Sequence, residues 1–288
     1  MVPQESALAQ QLIELFHLRQ LARATVYATA VSLALFAIIY TLERWQGADP
    51  SRYKSRSFIN DMAYALFYQG HFYSVFVFSA LASAVEPRLK FLKLDLMLYL
   101  PPAGAYVCWW LTLDFFGYWV HRWQHQNRIL WAFHSVHHTP EHLTFLTSYR
   151  IHVVEQFITN VVLYVPLLML GVPPKAWIGV VFAQAFFEAI QHSELDWRFG
   201  RLYRVLVSPV FHAFHHSAER RHYDRNFGKI LSVWDFVFLT AVSSEPRPLR
   251  FGVNGLRIPE SLVQQFLTPF RLLRPASRDA APPAPPAA

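Results

Sequence analysis

Four stretches of this 288-residue chain carry no charged side chain: Ala24 to Leu42, Met62 to Val85, Leu96 to Leu113 and Gln156 to Pro174. Each is close to the ~20 residues a helix needs to cross ~30 Å of hydrocarbon. A shorter run, Ala176 to Phe187, follows Pro173-Pro174. A soluble helical core rarely holds four such runs. The expected fold class is therefore all-α, a polytopic membrane helical bundle. The first run is too long and too far from the start for a cleaved signal peptide and reads as a retained anchor.

The runs organise the rest. Residues 1–23 read as an amphipathic lead-in, residues 24–273 as one membrane-embedded domain, and residues 274–288, rich in Ala and Pro, as a disordered tail. Spans are expected at about 24–42, 60–85 and 96–120, with a hairpin at 156–190 turning at Gly171 to Pro174. Net charge is +7, and residues 121–288 hold 17 Lys/Arg against 11 Asp/Glu, while residues 1–120 hold 9 against 8. A basic half beside spans marks a cytoplasmic face near anionic lipid. An odd number of spans before His121 puts the C-terminal half on that side, as in a multi-pass protein of a bacterial inner membrane. The charges interleave with spans and no nucleic-acid motif occurs, so nucleic acid is not an expected partner. The lone cysteine, Cys108, excludes disulfides and cysteine-ligated zinc or iron–sulfur sites.

The histidines are grouped. His121 and His125 form an HxxxH; His134, His137 and His138 form an HxxHH; His212, His215 and His216 form another. On a helix, residues three and four apart share a face, so two or three imidazoles of one box can converge on one ion. A single HxxxH is more often an ordinary helix face. Three boxes in one chain have no packing purpose, because a buried imidazole needs both nitrogens satisfied. Eight imidazoles suit two metal ions with a coordination position left open. Imidazole accepts iron, copper, zinc and nickel. With no nucleophile or acid–base pair for hydrolysis nearby, O2 chemistry at iron is favoured, and zinc could occupy the same ligands.

Further candidates flank the boxes. His192 is the ninth expected ligand, and Glu188, four residues earlier, is a candidate ligand or partner of one. Asp114 lies two turns before His121 on the same face, where it could accept an imidazole N–H or pair with Arg122. His152 is a candidate ligand or a helix cap, and Asp235 a further candidate around the site. His222, after Arg220-Arg221, is expected to be solvated; His17 and His71 lie away from the boxes. The aromatic run Trp109, Trp110, Phe115, Phe116 and Trp119 is expected to line the tail of a lipid substrate.

With these residues in hand, the chain resembles the fatty acid hydroxylase/sterol desaturase superfamily of integral-membrane proteins. The likeness runs from about Asp114 to Thr240, through Asp114 to His125, Leu130 to His138, Ser148 to His152, Val210 to Ser217, Asp224 to Gly228, and Trp234-Asp235. The resemblance implies a helical bundle with a cytoplasmic cap of histidine-bearing helices, holding two metal ions and using O2 to hydroxylate or desaturate a fatty acyl chain, sterol or related lipid. Some relatives carry another HxxxH before the last box; here that segment reads Glu188-Ala-Ile-Gln-His192, so only His192 carries over. No cytochrome b5-like or flavin segment is visible, so electrons are expected from a separate redox partner protein. The competing reading is a membrane metal-binding or transport protein without oxygenase activity, which needs ligands at bilayer depth along a path. A b-type cytochrome needs paired histidines inside spans, where only His71 qualifies.

Overall fold

The computed structural model describes residues 18–274 apart from residue 71 and segments 79–86, 172–177, 244–245, 257 and 260. Most of the lead-in, the end of the second apolar run, most of the hairpin turn, the tail, His17 and His71 lie outside the described residues. Among the described residues the fold is all-helical, with only isolated β-bridges. The helices are α1 (Leu18–Trp45), α2 (Arg56–Gln69), α3 (Pro102–Gln126), α4 (Arg128–His138), α5 (Val153–Leu170), α6 (Ile178–Gln191), α7 (Pro209–His215), α8 (Val233–Val237) and α9 (Leu262–Leu272).

Two segments, Thr25–Trp45 of α1 and Val153–Leu170 (α5), are long and apolar enough to cross a bilayer, and only 12% and 17% of them is buried. Val26, Leu33 and Ile38 on α1 and Phe157, Val161 and Val165 on α5 face outward. A core helix of a soluble protein would bury those side chains. Two expected spans have different bounds. The third starts at Pro102, because Pro101 holds an extended backbone (φ −54°, ψ 146°) and Pro102 takes the first helical turn, where its missing N–H costs nothing. It then runs to Gln126, past both histidines of the first box. The second begins with α2, only 14 residues long, capped by the Ser55 hydroxyl and ending at Gly70.

Polar anchors gather the helix ends that matter. The end of α1 is tied to the segment after α6: Glu43 accepts from Tyr53 Oη and from the Glu194 N–H, both at 2.7 Å, and Arg52 pairs with Glu43 and Glu194. Asp61 of α2 accepts from Arg150 Nε at 2.6 Å and from Thr144 and Thr147 at 3.0 Å, while Arg150 also reaches Ser57. At the other end of the bundle, Leu94 N–H donates to the Met169 carbonyl. The C-termini of α1, α3 and α6 and the N-terminus of α5 thus share one polar end. An apolar cluster including Leu35, Ile39, Phe58, Phe145 and Ile190 fills the space beneath it.

Candidate metal centre

Asn127 makes the corner on which the site depends. It separates α3 from α4, and its Oδ1 accepts from the N–H groups of Ile129 and Leu130. That cap starts α4 at once and folds the second box back against the first. Ser208 caps α7 in the same way through Phe211 N–H. All eight box histidines and His192 are buried.

The nine imidazoles form two groups, each with its ring nitrogens within 4.8 Å of one another: His121, His125, His134, His138 and His215 in one, His137, His192, His212 and His216 in the other. Both HxxHH boxes are shared between the groups. His134 and His138, one turn apart, serve the first and His137 the second; His212 and His216 serve the second and His215 the first. At ~100° per residue, positions i and i+4 lie ~40° apart on the helix and i+3 falls to the other side. One short helix therefore feeds two centres.

In the first group, Nε2 of His138 lies 3.1 Å from Nε2 of both His125 and His134. In the second, Nε2 of His192 lies 3.4 Å from that of His137 and 3.0 Å from that of His212, which is 3.1 Å from that of His216. Ligands ~2.1 Å from one ion at angles of about 90–109° are separated by about 3.0–3.4 Å, so these spacings fit a shared ion. The remote nitrogens of His121, His134 and His215 agree. Nδ1 of His121 donates to the Phe227 carbonyl (2.9 Å), that of His215 to the Arg225 carbonyl (2.8 Å) and that of His134 to Glu155 Oε1 (2.6 Å). Placing the proton on Nδ1 turns the Nε2 lone pair toward the centre. Nε2 of His215 is buried with no hydrogen-bond partner. Burial, reinforced by neighbouring imidazoles, holds His121, His125, His137, His138, His212 and His216 well below the usual histidine range. Burial also takes His192 down to about 4 and His215 to about 3. Neutral imidazoles are the form that binds metal.

The flanking candidates sit elsewhere. Asp114 touches no imidazole and does not pair with Arg122 as its main contact. It accepts from the N–H groups of Ile230 (3.0 Å) and Leu231 (3.2 Å) and from Trp234 Nε1 (2.8 Å). Asp235 accepts from Phe227 N–H, Gly228 N–H and the Thr240 hydroxyl. Both carboxylates fix the 226–234 segment, whose Phe227 carbonyl orients His121; they act on the site through backbone. Gly228 is required there, since a Cβ would stand 2.6 Å from the Leu231 carbonyl and 2.8 Å from Asp235 Oδ2. His152 caps α5: Nδ1 accepts from Val154 N–H and Nε2 donates to the Phe266 carbonyl, which leaves neither nitrogen for a metal. Glu188 is absent from both groups; its carbonyl lies 3.3 Å from His192 Nδ1. His222 is buried rather than solvated, with Nδ1 2.9 Å from the Ser217 hydroxyl.

Two residues escaped the sequence reading. Glu155 holds His134, and Asp224 Oδ1, buried and without a hydrogen-bond partner, lies 3.8 Å from His125 Nδ1. The available signal for Glu155 was its place as the last acid before an uncharged run. Glu155→Ala is expected to weaken metal retention in a chelator competition by ~10–100-fold, with Glu155→Gln affected less; unchanged retention would show that His134 orients itself.

With that geometry in view, comparison with known proteins is informative. The fatty acid hydroxylase family model matches residues 106–240, the segment that supplies all nine histidines. Residues 106–240 carry the domain of this family. Among its relatives, the ornithine lipid hydroxylase OlsE of Rhizobium tropici is 28% identical over 85% of this chain and 74% of its own length. The alkylglycerol monooxygenase of Danio rerio is 35% identical over 46% of this chain, a match spanning 30% of that protein. Methylsterol monooxygenase 1-3 of Arabidopsis thaliana is 27% identical over 46% of each. No solved structure matches. Within the family's segment, the quoted motif Asp224 to Gly228 gains a physical role: its backbone carbonyls at Arg225 and Phe227 set the tautomers of His215 and His121.

Proposed function

We propose that this protein is a membrane-bound, O2-dependent lipid hydroxylase or desaturase with two metal ions, iron in the working enzyme. The observation that carries the reading is the gathering of nine buried imidazoles into two groups, in each of which one ring nitrogen per residue lies within 4.8 Å of the others. His121, His125, His134, His138 and His215 would hold one ion, and His137, His192, His212 and His216 the other. A redox metal so held supplies activation of O2 for attack on a C–H bond. Hydroxylation places one oxygen atom in the C–H bond and reduces the other to water; desaturation removes two hydrogens and reduces both atoms to water. Either outcome draws two electrons and two protons from outside the chain, supplied by a separate redox protein. The protein's own contribution is to keep the imidazoles neutral and correctly tautomeric, and to screen the centres from bulk water with Phe227, Trp131 and the ends of α3 and α5.

The family domain and the monooxygenase relatives favour oxidation over metal transport, and the histidines gather at one end of the bundle instead of along a path. In this reading the chain is a multi-pass protein of a bacterial inner membrane with its histidine-bearing helices cytoplasmic. A reporter fused after Ala288 should be active on the cytoplasmic side; activity on the other face alone overturns the orientation. The activity itself is tested by comparing lipids of cells with and without the chain. A lipid 16 Da heavier or 2 Da lighter is expected only when the chain is present, and identical profiles under aerobic growth overturn the function.

A further inference from the structure

A cavity of about 140 Å³ reaches both histidine groups, touching His121 and His134 of one and His137, His192 and His212 of the other. It is the place where a reacting group can approach both centres. Its remaining wall is not that of a hydrocarbon tunnel: Gln124, Gln156, Thr159, Glu188, Gln191 and Lys229 line it, against Val120 and Ile151. None of Trp109, Trp110, Phe115, Phe116 and Trp119 does. Phe115 packs on Trp234 and Trp119 on Phe238, and Phe115 and Phe116 border a groove on the outer face of α3. The expected aromatic slot for a lipid tail is absent from this cavity.

The polar side chains lie at the polar end of the bundle. Gln156, Thr159 and Asn160 occupy the first two turns of α5, which is otherwise apolar enough to span a bilayer. Gln156 Nε2 donates to Asn160 Oδ1 at 2.8 Å, and Asn160 Nδ2 donates to Tyr73 Oη at 3.1 Å. Gln124 Nε2 donates to Thr159 Oγ1 at 3.1 Å, which joins α3 to α5 and leaves the Gln124 carbonyl oxygen outside that bond. Glu155 Oε2 is buried and has no hydrogen-bond partner. A volume near 140 Å³ resembles the ~150 Å³ cavity that holds a benzene-sized guest. Gln124 lies one turn from the candidate ligand His121, with ~5–6 Å between their Cβ atoms, and Thr159 lies one turn from Glu155, which holds His134.

Resting on the functional reading above, we propose that the lipid enters polar end first. A hydrogen-bonding group of the substrate docks on Gln124 and Thr159, and the oxidised carbon lies within about four bonds of that group. The substrate class is a lipid oxidised beside its head or linkage, with the alkyl tail extending away toward the bilayer.

The test uses full-length protein loaded with cobalt(II), whose visible spectrum reports its surroundings without turnover. Hexadecanol and hexadecylamine should perturb the spectrum at least tenfold more strongly than hexadecane at equal concentration. In the Gln124→Leu/Thr159→Val double variant that preference should fall at least tenfold while cobalt content stays constant, and Thr159→Ser should retain it. If the double variant fails to take up cobalt, Thr159→Val alone serves the same comparison. Equal perturbation by hexadecane, or an undiminished preference in the variant, overturns the proposal. In parallel, fragmentation of the lipid oxidised in cells should place the new oxygen or double bond within four carbons of a polar group, and mid-chain oxidation overturns it. Absence of any oxidised lipid sinks the functional reading alone, because the cobalt comparison decides the docking separately.

Discussion

His215→Ala is expected to lower bound metal from two equivalents to about one and to cut lipid oxidation at least ~100-fold, with the amount of protein in the membrane fraction unchanged. Deleting an outer partner of a ligand already costs 10–100-fold, and His215 is itself a candidate ligand, so its loss sets a higher floor. It supplies a buried, unpartnered Nε2 to the five-histidine group, and its Nδ1 is fixed on the Arg225 carbonyl. His137→Ala should be equally damaging through the other centre. The more demanding expectation is the partition. His134, His138 and His215 variants should share one metal-loss signature, and His137, His192, His212 and His216 variants the other, although all but His192 come from the same two boxes. Elemental analysis together with the cobalt spectrum separates them. If all seven variants lose both ions alike, the assignment to two centres is wrong.

Arg150→Ala is expected to destabilise the fold by ~3–5 kcal/mol, because it strips a buried carboxylate of its charged partner. Asp61 is fully buried, and its neighbours Thr144 and Thr147 cannot neutralise it. For a chain of this size the loss corresponds to a thermal midpoint roughly 10 °C lower in detergent. Asp61→Asn combined with Arg150→Met removes both charges and should recover part of the loss. A double variant as unstable as Arg150→Ala would mean that shape at Arg150, and not the stranded charge, sets its importance. The damage should reach the site, since Arg150 lies two residues before the His152 cap of the helix that carries Glu155.

The boxes were readable because helical spacing acts locally. Positions i, i+3 and i+4 on one helix already determine that His134, His137 and His138 approach one another. The apolar runs were readable for a similar reason, since a bilayer imposes length and absence of charge on a single segment. Bounds were less so: Pro101-Pro102 started α3 late, and the Asp61–Arg150 pair tied α2 into the polar end of the fold.

The sequence by itself pointed to an all-helical fold, four uncharged runs and a set of imidazoles suited to metal; among the described residues two of those runs form long, apolar, outward-facing helices. Only the tertiary structure decided which imidazole serves which centre, because that depends on the Asn127 corner and on how α7 lies against α4. It also reassigned the carboxylates. Asp114 and His121 share a helix face, yet the Asp114 oxygens go to backbone N–H groups at residues 230 and 231, over a hundred positions away in sequence. Glu155 and His134, 21 positions apart on different helices, meet at 2.6 Å. A carboxylate takes whichever donors packing brings within reach, and no periodicity along the chain encodes that choice.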